Sequence, residues 1–112
     1  MKGASAAAVA IAVALGLAPP AGADQYDYVS ELDANGIYYS SISDVIDLGK
    51  QVCTVGRTAP TDILQVAMGT LLRRAGYTSS NEGNIIVSAA AANMCPDIYP
   101  RIREAVGATN AG

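Results

Sequence analysis

The chain has 112 residues, a formal net charge of −3, two cysteines and no histidine. This acidic balance lacks the basic stripe or high isoelectric point of nucleic-acid-binding domains, so we expect no nucleic-acid partner. The missing histidine removes the commonest general base and the commonest metal ligand, which disfavours histidine-dependent catalysis and metal binding.

The first segment of the chain has the pattern of an export signal. Lys2 gives a positive start, residues 6–17 are apolar and uncharged, and Ala21-Gly22-Ala23 fits a signal-peptidase site. The apolar stretch is about 12 residues long, shorter than the ~20 residues that a membrane-spanning helix needs. We therefore expect residues 1–23 to be a cleaved signal peptide, which leaves a secreted or envelope-associated chain without a transmembrane span. The net charge of that chain is −4, because Lys2 is the one charged residue removed.

Residues 24–35 are predicted to form the first helix, because acidic side chains in a first turn suit the positive end of a helix dipole. The apolar stripe of this helix consists of Tyr28, Val29 and Leu32. Gly36 is predicted to stop the helix, since glycine accepts the left-handed conformation that ends many helices. A short connector follows.

The second helix is predicted to have Ser43 as its N-cap and to end near residues 57–60. Apolar and small residues recur at spacings of three and four along one face: Val45, Ile46, Gly49, Val52, Cys53 and Gly56. Pro60 fits the first turn of a third helix, which ends at Gly76. The apolar face of the third helix comprises Ile63, Leu64, Ala67, Met68, Leu71 and Leu72.

The fourth helix is predicted from a capping box, with Ser79 as cap and Glu82 three residues later. It runs to Cys95, and Pro100 begins a short terminal helix through Val106. No strand alternation stands out. We therefore predict an all-α fold, with one domain over residues 24–106 built as a small bundle of about four helices. Residues 107–112 are expected to be a disordered tail.

Cys53 and Cys95 are predicted to form one disulfide, because paired cysteines in an exported chain favour a bridge. Closing a loop of about 43 residues stabilises the fold by roughly 4 kcal/mol in the chain-entropy model. Two free thiols with a redox or metal role are the alternative, which the lack of Cys-x-x-Cys and of histidine disfavours. Small residues surround both cysteines: Gly49, Gly56, Ser88, Ala91 and Ala92. We therefore expect helices two and four to cross tightly at the bridge.

The remaining charged residues give little reason to expect catalysis. Carboxylates three residues apart occur in predicted first turns, where the helix dipole favours acids without a catalytic role. Arg73 and Arg74, with Arg101 or Arg103 nearby, offer positive charge to an anionic ligand. Compensation of the dipole at a helix C-terminus is the alternative explanation, and the one we favour. We expect no catalytic residue, no metal and no cofactor, and we expect that the protein is not an enzyme.

Six tyrosines are the only aromatic residues of the chain. Tyrosine is common at interfaces, because its ring offers a large contact area and its hydroxyl a polar tip. We expect Tyr28 and Tyr39 to be largely buried, and Tyr26 and Tyr38 to be exposed. The predicted contact surface lies near the loop between helices one and two and consists of Tyr26, Tyr38 and Tyr39.

Three pieces of the sequence carry a family resemblance. They are the run Gly36-Ile37-Tyr38-Tyr39, the helix pattern Ile46-x-x-Gly49-x-x-Val52-Cys53, and the pair Cys95-Pro96. In this arrangement the chain resembles small exported actinobacterial, chiefly mycobacterial, proteins of domain of unknown function 732. The resemblance implies a small, disulfide-closed helical domain that is secreted or associated with the cell wall. It implies no activity.

Two functions are consistent with these observations. The leading hypothesis is a secreted, non-enzymatic helical protein that contacts a protein partner at the cell envelope or a host surface. The alternative is a carrier of a small apolar molecule between helices, which Ala-rich helices and the flexible side chains of Met68 and Met94 would allow. No pattern in the chain indicates an oligomeric state.

Overall fold

The structure, a computed structural model, describes the backbone of residues 21–111 and the side chains of residues 25–105. Within this range the chain forms helices and two short 3₁₀ turns, Thr61–Ile63 and Pro96–Ile98, with no β-strand. The five α-helices are α1 (Ala21–Ala34), α2 (Ile42–Thr58), α3 (Leu64–Arg74), α4 (Ser80–Met94) and α5 (Tyr99–Ala111). This result confirms the predicted all-α fold and its C-terminal helix.

The structure leaves two predicted terminal segments untested. Most of the predicted export signal precedes residue 21, where the described backbone begins. The backbone of α5 includes residues 107–111 of the predicted disordered tail, but no side chain is described there. The signal peptide, the disordered tail and the domain limits of 24–106 therefore stay predictions.

Glycine turns end α1 and α3, as predicted. Gly36 and Gly76 have φ angles of +70° and +97°, which glycine adopts without steric cost. After α1, the amide of Ile37 donates a hydrogen bond of 3.0 Å to the carbonyl of Leu32. After α3, the amide of Tyr77 donates the equivalent hydrogen bond to the carbonyl of Leu72. Each turn therefore closes its helix with the same Schellman-type arrangement.

The start of α2 differs from the prediction. Ser41, rather than Ser43, is the N-cap, and its hydroxyl accepts a hydrogen bond of 3.0 Å from the amide of Asp44. Ser43 lies inside the first turn and is exposed. Asp44 therefore lies three positions after the cap, where its amide is one of the unpaired donors of the first turn. The predicted cap of α4 is confirmed, since the Ser79 hydroxyl accepts from the amide of Glu82 at 3.4 Å.

The start of α3 also differs. Pro60 precedes a 3₁₀ turn instead of occupying the first turn of the α-helix, which begins at Leu64. Ile63, predicted on the apolar face, is therefore at the end of the turn and 48% exposed. The prediction is right for the three residues of that face that are buried: Leu64, Met68 and Leu72.

The disulfide joins α2 to the end of α4. Cys53 and Cys95 are bonded, with a Cα–Cα distance of 5.9 Å, which confirms the predicted bridge. Ala89, Ala90 and Ala91, in the last part of α4 before Cys95, are fully buried. Ala92 was expected on the face that meets α2 but is exposed.

The two glycines that flank Cys53 have a different role from the one predicted. A Cβ atom at Gly49 would lie 2.7 Å from Met94 Sδ and 2.9 Å from Tyr28 Cε2. A Cβ atom at Gly56 would lie 2.5 Å from Ile102 Cδ1. These glycines therefore make room for large side chains of α1, α4 and α5, rather than for close approach of two helix backbones.

Candidate functional site

The loop between α1 and α2 exposes Tyr38, one of the three tyrosines predicted to form a contact surface. Its side chain is 75% exposed, whereas the preceding Ile37 is buried in the core. The glycine turn at Gly36 fixes the backbone before Tyr38, and the Ser41 cap fixes the backbone after it. The loop thus holds an aromatic ring in solvent on a backbone that is anchored on both sides.

Tyr77 fastens this loop to the turn after α3. Its hydroxyl donates a hydrogen bond of 2.6 Å to the backbone carbonyl of Tyr38. Partial burial, with a smaller effect of the Glu82 carboxylate, raises the pKa of Tyr77, which keeps the hydroxyl protonated as a donor. No role was predicted for Tyr77, although its position directly after the glycine stop at Gly76 matches the position of Ile37 after Gly36.

Tyr39 is half-buried, although it was expected to be largely buried. Its hydroxyl donates a hydrogen bond of 2.7 Å to a carboxylate oxygen of Asp33, near the end of α1. This bond raises the pKa of Tyr39. The exposed carboxylate supplies the polar partner that the hydroxyl needs, so the ring stays at the rim of the core.

Tyr26 lies at a distance from the other two predicted tyrosines. It is 63% exposed, as expected, and precedes the end of α1 by eight residues. Eight residues of α-helix span about 12 Å. The structure therefore brings Tyr38 and Tyr39 together with Tyr77, and it leaves Tyr26 further along α1. The role of these tyrosines as a contact surface stays a prediction.

A groove of about 330 Å³ lies where α3, α4 and α5 meet. Its apolar residues are Val66, Met68, Leu72, Val87, Ile102 and Ala105. Polar residues of the turn between α3 and α4 also line the groove, together with Arg73. Met68 was predicted to allow such a space and does line it, whereas Met94 packs beside Gly49.

Arg101 has a structural role that was not predicted from the sequence. Its guanidinium donates hydrogen bonds to the backbone carbonyls of Gly56 and Ala59, at the end of α2, and to the hydroxyl of Thr61 at 3.3 Å. Carbonyls at a helix C-terminus have no partner within the helix, so this arginine satisfies two of them. Arg101 is 40 or more positions away from each of these partners, which leaves no local sequence signal.

The other arginines considered as an anion site serve separate regions. Arg73 borders the groove described above, whereas Arg74 lines a second groove between α2 and α3. The guanidinium of Arg103 lies 5.9 Å from the centre of the Tyr99 ring. In the part of the chain with described side chains, these arginines do not converge on one site.

An exposed ion pair links the end of α2 to the turn after the disulfide. Arg57 and Asp97 form a bidentate interaction, with a shortest distance of 2.6 Å. The hydrogen bonds raise the pKa of Arg57 and lower the pKa of Asp97. Because both side chains are largely exposed, we expect this pair to contribute little to stability.

Two further observations concern the described residues alone. Among them, no group of three or more cysteine, aspartate or glutamate side chains is arranged to hold a metal ion. None of the helices in this part of the chain combines the length and the apolar character that crossing a bilayer requires.

Three features belong to one structural unit: the glycine turn before Tyr38, the glycine-containing face of α2 and the disulfide to Cys95. Residues 23–97 match the family described as protein of unknown function (DUF732). The chain belongs to the DUF732 family. No curated protein matches the chain, and no solved structure does. The matched region includes α2, α3, α4 and the disulfide, whereas α5 of this DUF732 protein lies beyond it.

Proposed function

We propose that this DUF732 protein is a secreted, non-enzymatic helical domain that contacts a protein partner at the cell envelope or a host surface. The observation that carries this proposal is the exposed ring of Tyr38 on an anchored loop. A side chain presented on a fixed backbone loses less conformational entropy on binding, and buried tyrosines contribute strongly to many interfaces.

The surroundings of Tyr38 indicate the kind of partner. Ile42, at the start of α2, is half exposed and adds apolar area four residues after Tyr38. Asp33 and Asp44 flank the loop and are both exposed. A partner with an apolar centre and basic residues around it would complement this surface.

Export is part of the proposal. The first 23 residues have the pattern of a cleaved signal. The Cys53–Cys95 disulfide is consistent with an oxidising compartment outside the cytoplasm. The proposal of a non-enzymatic role is supported by the absence of histidine, the commonest general base, from the sequence.

Site-specific photocrosslinking tests the proposed contact. A benzophenone amino acid replaces Tyr38 in one variant and Val66, which is 68% exposed on α3, in the control variant. With envelope and host-surface extracts, we expect a light-dependent adduct of one reproducible mass at position 38 and none of that mass at position 66. Equal adducts at both positions, or no adduct from a folded and oxidised bait, would contradict the proposal.

A second candidate function is that of a carrier for a small apolar molecule. The groove between α3, α4 and α5 favours this function, because it provides apolar space between helices. A bound ligand raises the melting temperature of the protein that it binds. Protein recovered natively should therefore melt above the same protein after delipidation, and equal melting temperatures would argue against a carrier.

A further inference from the structure

We infer that the groove between α3, α4 and α5 binds the single acyl chain of an anionic amphiphile, with the chain against Leu72 and Ile102 and the head group beside Arg73. This inference rests on the carrier function above and specifies its ligand class.

The size of the groove indicates one short acyl chain. An apolar cavity of about 150 Å³ holds one benzene molecule, so about 330 Å³ corresponds to roughly a dozen carbon atoms. The buried side chains of Met68, Leu72, Val87 and Ile102 supply an apolar wall, and the exposed Val66 continues it to the surface.

Gly83 keeps this space open at a cost to its own helix. It lies in α4, where glycine destabilises a helix relative to alanine. A Cβ atom at Gly83 would have Leu72 Cγ at 3.7 Å as its nearest neighbour, which is an ordinary contact. At Gly49 and Gly56, in contrast, a Cβ atom would clash with the core. Packing therefore requires those two glycines but not Gly83, whose missing side chain widens the groove.

Arg73 gives the groove a positive charge that complements a negative head group. The Arg73 guanidinium lies across Gly69, since a Cβ atom at Gly69 would be 3.2 Å from Arg73 Nη1. Its hydrogen bond is to the Thr70 hydroxyl at 3.4 Å, and no carboxylate among the described residues lies within 4.0 Å of it. Ser80, in the first turn of α4, also lines the groove. A guanidinium without a carboxylate partner favours an anion over a neutral or cationic head group.

Dodecanoate is the probe for the test, and dodecanol is its uncharged counterpart. Each is titrated into the delipidated protein with the Cys53–Cys95 bridge intact, and methyl chemical shifts are followed by NMR. We expect saturable shifts with dodecanoate at Leu72, Val87 and Ile102 and no comparable shift at Val45, which does not line the groove.

Two variants separate the features of the groove. Gly83→Leu fills part of the apolar space beside Leu72, and we expect it to weaken dodecanoate binding at least tenfold while the protein still melts cooperatively. Gly83→Ala, which adds the smallest side chain, is the matched control for folding. Arg73→Gln should weaken dodecanoate binding about threefold to fivefold, as for an exposed ion pair, and leave dodecanol binding unchanged.

Three results would overturn the inference. They are the absence of saturable shifts in the folded protein, shifts centred outside the groove, and dodecanol binding as tightly as dodecanoate to the unmodified protein. If dodecanoate fails while the natively recovered protein still melts above its delipidated form, the carrier function stands and the ligand class is wrong. If both experiments fail, the carrier function is wrong as well.

Discussion

A methyl group at Gly49 would occupy space that Met94 and Tyr28 already fill, at 2.7 Å and 2.9 Å. We therefore expect Gly49→Ala to lower the free energy of unfolding by about 1–3 kcal/mol, as overpacking does, and Gly49→Leu to lower it further. Gly83→Ala is the matched control, and we expect it to raise the free energy of unfolding by about 0.5–1 kcal/mol. Urea denaturation measures both changes. A Gly49→Ala variant as stable as the unmodified protein would show that this packing is wrong.

Tyr28 gives the fold a dependence on alkaline pH. Its hydroxyl donates a buried hydrogen bond of 2.9 Å to the carbonyl of Val45, and burial raises its pKa well above the ordinary value of 10.0. The folded state thus favours the neutral phenol. The stabilisation is complete below pH 10 and is lost as the pH rises above that value toward the raised pKa of the folded state.

Tyr28→Phe tests this dependence. The variant removes the donor and leaves a buried carbonyl without its partner, so we expect a loss of about 1–2 kcal/mol at neutral pH. It should also reduce the loss of stability between neutral pH and pH 11, because the phenylalanine cannot ionise. Thermal denaturation at a series of pH values measures both effects, and an unchanged alkaline profile would contradict the assignment.

Which tyrosines are exposed could be predicted only in part. Tyr38 follows a glycine stop, so its position in a loop was readable from neighbouring residues. The half-burial of Tyr39 depends on Asp33, and the role of Tyr77 depends on a carbonyl 39 positions away. Hydrogen bonds of this kind arise from the tertiary arrangement, and no local pattern encodes them.

The start of α2 provides a test on the scale of one helix. Ser41→Ala removes the hydroxyl that caps the amide of Asp44, and we expect a loss of about 1 kcal/mol. Ser43→Ala is the control, since Ser43 is exposed within the first turn. Denaturation midpoints distinguish the two serines. If Ser43→Ala destabilised the protein more than Ser41→Ala, the helix would begin where the sequence first suggested.

The end of α2 depends on Arg101. Arg101→Ala leaves the carbonyls of Gly56 and Ala59 without their guanidinium partner, and we expect a loss of about 1–3 kcal/mol. Hydrogen exchange should become faster in the last turn of α2. Arg103→Ala keeps these bonds and serves as the control. Equal exchange in both variants would mean that Arg101 does not hold this helix end.

Helix centres and glycine stops were predictable, because periodic apolar residues and positive-φ turns are local properties of the chain. The starts of α2 and α3 were not predictable. Ser41 and Ser43 were both suitable N-caps for α2, and Pro60 precedes a 3₁₀ turn rather than α3 itself. The groove was equally hidden. It forms only when Gly83 of α4 and Ile102 of α5 meet the same side of α3.

On the scale of the whole molecule, one covalent bond and one set of small residues organise the bundle. The disulfide joins α2 to the end of α4 and closes a segment of the chain with a sequence separation of 42. Gly49 and Gly56 let α1, α4 and α5 place large side chains against α2. The loop that carries Tyr38 and the groove between α3, α4 and α5 both depend on this framework. The DUF732 match covers most of it.

We propose that this DUF732 protein is an exported, disulfide-closed domain that acts by binding. Native mass spectrometry of the protein recovered from the medium or envelope of its own host tests this claim most directly. We expect a chain that begins at Asp24, is lighter than the reduced chain by its two thiol hydrogens, and carries a reproducible non-covalent addition. A chain that retains residues 1–23, or that has free thiols at Cys53 and Cys95, would contradict the claim.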